Sequence, residues 1–87
     1  MREGTYFHLQ DFYLAAFLFA KGMELVSVNK ITNPKRATFV FLDSPDREDL
    51  VQGFSFGKED DPTAMVDARK FIAAIRGLKE KLYRDNI

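Results

Sequence analysis

The chain has 87 residues, 13 basic against 13 acidic side chains and no cysteine, so a disulfide framework, a cysteine-built zinc site and a thiolate nucleophile are all excluded. One domain over residues 1–87 fits this length, and a chain near this size buries only about 60–65% of its unfolded surface. Nine Phe and three Tyr offset that thin core, because each ring buries roughly 150–250 Å².

Tyr6-Phe7-His8-Leu9 reads as a short edge strand. Asp11 then stands where an N-cap belongs, ahead of nine apolar or aromatic residues from Phe12 to Ala20, and a helix to about Lys21 follows, stopped by Gly22 in the left-handed C′ conformation. This helix has no polar face. Nine helical residues rise about 13–14 Å against a hydrocarbon core of roughly 30 Å, and Met1-Arg2-Glu3-Gly4-Thr5 lacks the order of a signal peptide. The expectation is a cytoplasmic protein that uses no membrane.

Met23 to Ile31 has a β-rich composition in which Val26, Val28 and Ile31 alternate imperfectly. Ala37-Thr38-Phe39-Val40-Phe41-Leu42 is a stronger strand, apolar on both faces and therefore central or covered. The Asn33-Pro34 turn signal between them predicts an antiparallel hairpin. Ser44 as N-cap, with Pro45 at the first helical position, predicts a helix presenting Leu50, Val51 and Phe54 before Gly57. Ala68, Phe71, Ile72, Ile75, Leu78 and Leu82 carry the 3-and-4 spacing of a last helix, whose cap is either Asp61 or Asp67.

The fold class expected is α+β: a helix, an antiparallel β-hairpin with a third short strand, and two further helices packed on the sheet. The expected core comprises Phe12, Ala16, Phe19, Leu25, Phe39, Phe41, Leu50, Phe54, Phe71, Ile72, Ile75, Leu78 and Leu82.

Asp11 to Ala16 running into Lys21-Gly22, Phe39-Val40-Phe41 ahead of Asp43-Ser44-Pro45, and Val66 to Phe71 with Ala74-Ile75-Arg76 and Leu78-Lys79 resemble a small bacterial and phage family of unknown function. The resemblance runs from about Tyr6 to Tyr83. It implies a compact single domain with no assigned reaction, and it supplies no functional residue. Members usually have a tighter Gly-Lys to Val-Asp connection, which marks Glu59 to Met65 as an insertion.

No reaction motif stands out. Asp43, Asp46, Glu48 and Asp49 are oxygen ligands of the kind hard cations take, but they do not follow an EF-hand schedule, and capping explains them. His8, the single histidine, has no partner identifiable by spacing. Gly57-Lys58 lacks the rest of a phosphate loop, and Ser27, Ser44 and Ser55 sit in no nucleophile elbow. The expectation is a non-enzymatic domain with no catalytic residue, metal or cofactor.

Two binding classes follow. The first is protein assembly, a homo-oligomer or a domain serving one protein partner, because an all-apolar helix has more than one stripe to cover; Tyr13, Phe17 and Ala20 form the stripe expected at an interface. The second is nucleic-acid association. Charge is segregated: residues 43–61 hold seven acidic and two basic side chains, and residues 67–84 hold six basic and two acidic. Phosphate contacts would come from Lys30, Lys35, Arg36, Arg69, Lys70 and Arg76.

Overall fold

The computed structural model describes residues 5–30 and 37–83. In chain order these form strand β1 (Tyr6–Leu9), helix α1 (Phe12–Ala20), strands β2 (Leu25–Asn29) and β3 (Thr38–Leu42), helix α2 (Arg47–Phe56), a 3-10 turn (Pro62–Ala64) and helix α3 (Ala68–Tyr83). The expected α+β class, with its third short strand, is what the chain adopts. The strand order is β1-β3-β2 with both pairings antiparallel, so the strand apolar on both faces lies in the middle.

The register explains the core. Phe39 is flanked by Leu9 and Val28, and Phe41 by Phe7 and Leu25. Because paired residues share a face, these six side chains make one apolar sheet surface. Leu25 and Val28 are three residues apart and still share that surface, because the register shifts between Leu25 and Ser27. This bulge leaves Val26 48% exposed and is the physical reason the sequence alternates imperfectly here. Val40 lies between His8 and Ser27 on the opposite face, buried but outside the core cluster.

Helix α1 sits over the apolar surface. Its Phe12 ring meets Phe39 edge-on at 6.0 Å and its Phe19 ring meets Phe41 at 6.5 Å. Asp11 caps it, the carboxylate accepting from the Tyr13 and Leu14 amides at 3.0 and 3.1 Å. Gly22, at φ 104°, ends it, and the Met23 amide reaches back to the Leu18 carbonyl at 3.1 Å in the manner of a Schellman cap. Four successive residues, Ala15 to Leu18, are buried, which spans a whole helical turn. The all-apolar helix is thus enclosed by the sheet, α2 and α3.

Several expectations need correction. Ser44 is not the N-cap of α2: the helix begins at Arg47 with Asp46 in the cap position, and the Arg47 amide closes a turn onto the Ser44 carbonyl at 3.1 Å. Asp43 organises that turn, accepting from the Ser44 amide at 2.9 Å and from Arg47 Nε at 3.0 Å. Both candidate caps of the last helix are used. Asp61 accepts from the Thr63 amide and starts the 3-10 turn, while Asp67 accepts from the Arg69 amide and precedes α3. Two expected core residues lie outside the buried core, Phe54 at 37% and Ile72 at 49% exposure. Ala15, Phe17, Leu18, Met23, Ala37 and Ala74 take core places outside the expected set. Ile31, Lys35 and Arg36, and the Asn33-Pro34 turn signal, lie outside the described residues.

Candidate functional site

The stripe expected at an interface is divided by the fold. Tyr13 is 60% exposed, but Phe17 is buried, with Phe54 stacked against it at 4.8 Å and the Lys21 ammonium 5.8 Å from its ring centre. Ala20 is half-buried. Of the three, only Tyr13 presents most of its side chain to solvent, and Phe17 belongs to the core.

The basic residues are divided as well. Lys30 is half-buried and donates to the Leu82 carbonyl near the end of α3. Arg69, Lys70 and Arg76 are exposed on α3, as are Lys79 and Lys81, with Glu80 the one acid on that helix. Arg69 lies 3.9 Å from Asp67, with its side chain 94% exposed, so this pair neutralises little. Ala74, Leu78 and Leu82 face the core. At 100° per residue the opposite flank carries Arg69, Ile72, Arg76 and Tyr83: a basic surface with an aliphatic and an aromatic side chain set into it.

At the other charged end, α2 finishes in Phe54-Ser55-Phe56. Phe56 is 79% exposed, the most exposed of the large apolar side chains described. It lines a shallow surface depression with Gly57, Lys58, Glu59, Asp60, Asp61 and Pro62. An apolar ring projects there beside a run of three carboxylates. Gly53 makes this placement possible, because a Cβ at that position would lie 2.7 Å from Thr63 Cγ2 and 2.9 Å from Thr63 Cβ. The glycine lets α2 lie directly on the 3-10 turn. Lys21 ties the following segment to α1 by donating to the Met65 carbonyl at 2.9 Å.

A groove opens between the start of α1 and the end of α3. Phe12, Tyr13, Ala37, Phe39, Leu82 and Tyr83 line a cavity of about 270 Å³, and Gln10 and Lys79 supply its polar groups. Phe12 meets Tyr13 edge-on at 5.3 Å, while Tyr83 is 69% exposed. Sequence reasoning missed this groove because its residues come from three distant parts of the chain. The apolar pattern marked Phe12, Phe39 and Leu82 only as core.

In the acidic group at the start of α2, Asp43 is engaged in structure, while Glu48 and Asp49 are exposed. Asp43 and Arg47 form a two-bond pair, Nε to Oδ1 at 3.0 Å and Nη2 to Oδ2 at 3.3 Å, and the guanidinium lies 4.3 Å from the Phe7 ring centre. The Arg47 hydrogen bond, then the Ser44 amide, hold Asp43 below the ordinary carboxylate range against the opposing effect of burial. Among the described residues no three His, Asp or Glu side chains gather as a metal ion would require, and no helix is long and apolar enough to cross a membrane.

No curated protein and no solved structure matches the chain. Residues 4–84 match the family model DUF5659, described as a domain of unknown function. The whole described fold, from β1 through α3, falls within that match, and the chain belongs to this family.

Proposed function

We propose that this domain is a non-enzymatic protein-interaction module that associates with itself head to tail. The acidic end at Phe56 forms one half of the contact, and the basic outer face of α3 forms the other. The observation that carries this reading is the 79% exposure of Phe56 beside Glu59, Asp60 and Asp61. A free Phe ring leaves roughly 150 Å² or more of apolar surface in water. Ile72, 49% exposed on α3, is an apolar counterpart, and Arg69 and Arg76 lie three residues before and four after it, on the same flank. Phe56 seated on Ile72 brings three carboxylates toward two guanidinium groups.

Charge selects this arrangement over a symmetric one. A two-fold contact through Phe56 would set two acidic runs against each other, whereas a heterologous contact pairs opposite signs. A contact centred on two apolar side chains falls below the roughly 1,200 Å² of a stable complex, so association is weak and depends on concentration and salt.

Sedimentation velocity across a concentration series at about 50 and 200 mM salt tests the reading. Mass should rise with concentration, more so at low salt. Phe56→Glu and Ile72→Glu should each be monomeric alone, and mixing them should restore a one-to-one dimer, because each variant keeps the half that the other lacks. A parent protein that stays monomeric up to millimolar concentration, or a mixture of the variants that does not associate, would refute it.

A further inference from the structure

We propose that the groove between α1 and α3 is a stacking site for single-stranded nucleic acid, with the strand's phosphates running along the basic outer face of α3. The groove is separate from the Phe56 end, although the phosphate path shares Arg69 and Arg76 with the basic half of the proposed self-contact, and neither inference depends on the other. A cavity of about 270 Å³ walled by Phe12, Tyr13, Phe39 and Tyr83 is small for a drug-sized ligand, whose pockets run about 300–1,000 Å³. It has the scale of a single planar ring system. Tyr13 and Tyr83 keep 60% and 69% of their surface in solvent, so both rings are available to a base, and every base has a face that stacks.

Charge identifies the occupant as a polyanion rather than an apolar peptide. Lys79 stands in the groove wall, and Arg76, one turn earlier on the same helix, is exposed. Arg69 continues that flank seven residues before Arg76. Eleven residues of helix separate Arg69 from Lys79 when both ends are counted, a rise of about 15 Å, so the basic stripe is long enough for several successive phosphates. Gln10, which lines the groove, donates one amide hydrogen to Thr38 Oγ1 at 3.4 Å and keeps its second hydrogen and its carbonyl oxygen for a base edge. A duplex does not fit this site, because its bases are already stacked and paired, whereas a single strand can lay one against an exposed tyrosine ring.

The test is fluorescence anisotropy with labelled oligo-deoxythymidine and a duplex of equal length, at about 50 and 200 mM salt. The expected result is saturable binding of the single strand and weaker binding of the duplex. With three phosphates contacted, by Arg69, Arg76 and Lys79, single-strand affinity should fall roughly 20-fold between the two salt concentrations. Tyr83→Ala and Tyr13→Ala, at exposed positions and each confirmed as folded by circular dichroism, should each weaken binding about tenfold, a loss within the range measured for one stacked base. Lys79→Glu should weaken it and flatten the salt dependence. At protein concentrations where the parent is monomeric, Phe56→Glu should bind as the parent does, which keeps failure of the assembly reading distinct from failure of this one. Absence of saturable binding at the lower salt, equal binding of the duplex, or full binding by both tyrosine variants would overturn the proposal.

Discussion

Two glycines in helix interiors should respond to alanine with opposite signs. In an exposed helix Gly→Ala stabilises by about 0.5–1 kcal/mol, because glycine loses more backbone freedom on folding. At Gly77 on α3 the new methyl would lie 3.5 Å from Phe19 Cε2, an ordinary van der Waals distance, so the gain should appear in full. At Gly53 on α2 the methyl would lie 2.7 Å from Thr63 Cγ2 and 2.9 Å from Thr63 Cβ. Thr63 is β-branched and so stiff at χ1, and its amide is held by Asp61 at 2.9 Å, so it cannot swing aside without moving the 3-10 turn. Overpacking of this kind costs about 1–3 kcal/mol, which outweighs the propensity gain and leaves Gly53→Ala less stable by about 0.5–2 kcal/mol. For a domain of this size each kcal/mol shifts Tm by about 4–8 °C. Urea and thermal unfolding followed by circular dichroism would then show Gly77→Ala melting several degrees above the parent and Gly53→Ala below it. A Gly53→Ala protein as stable as Gly77→Ala would refute the close packing of α2 on the turn.

Phe17→Ala should destabilise by about 3–5 kcal/mol, much of what a small domain possesses. Phe54→Ala, which removes a ring that is 37% exposed, should cost less than half as much in the same denaturant titration. A folded Phe17→Ala variant within about 1 kcal/mol of the parent would contradict the core placement of that ring. The Asp43–Arg47 pair sets a pH dependence. The folded carboxyl titrates below its ordinary 3.8, so its stabilisation is complete above that value and is lost as pH falls through the lower, folded one. Asp43→Asn should therefore be less stable than the parent at pH 7, by about 0.3–1 kcal/mol for a partly exposed pair. The difference should vanish in strong acid. Equal parent and variant stabilities at pH 7 would remove the pair from the account of how the turn before α2 is held.

Features governed by neighbours along the chain were legible in the residues. Asp11 before an apolar run, Gly22 after it, and the double-faced apolar pattern of Ala37 to Leu42 each have a local cause, namely orphan amides to cap, a left-handed turn to make, and two sides to cover. The residues announce an acidic turn before α2 but not its cap, since Asp43, Ser44 and Asp46 all carry side-chain oxygens within a few residues of the helix start and only the turn's geometry decides among them. Phe54 and Ile72 read as core because periodicity marks an apolar face without stating how much of it a neighbour covers. Phe17 was assigned to an interface for the converse reason.

The elements, the need to cover both faces of β3 and the segregation of charge between α2 and α3 are therefore written into stretches of a few residues, because hydrogen-bond capping, side-chain period and net charge act over that range. Tertiary structure alone decided which side chains meet. The bulge that puts Leu25 and Val28 on one face, the enclosure of α1 on every side but that of Tyr13, and the groove joining residues 10–13, 37–39 and 79–83 are relations between segments far apart in the chain. No local propensity encodes them, because they arise only when the sheet, α1 and α3 bury their apolar surfaces against one another.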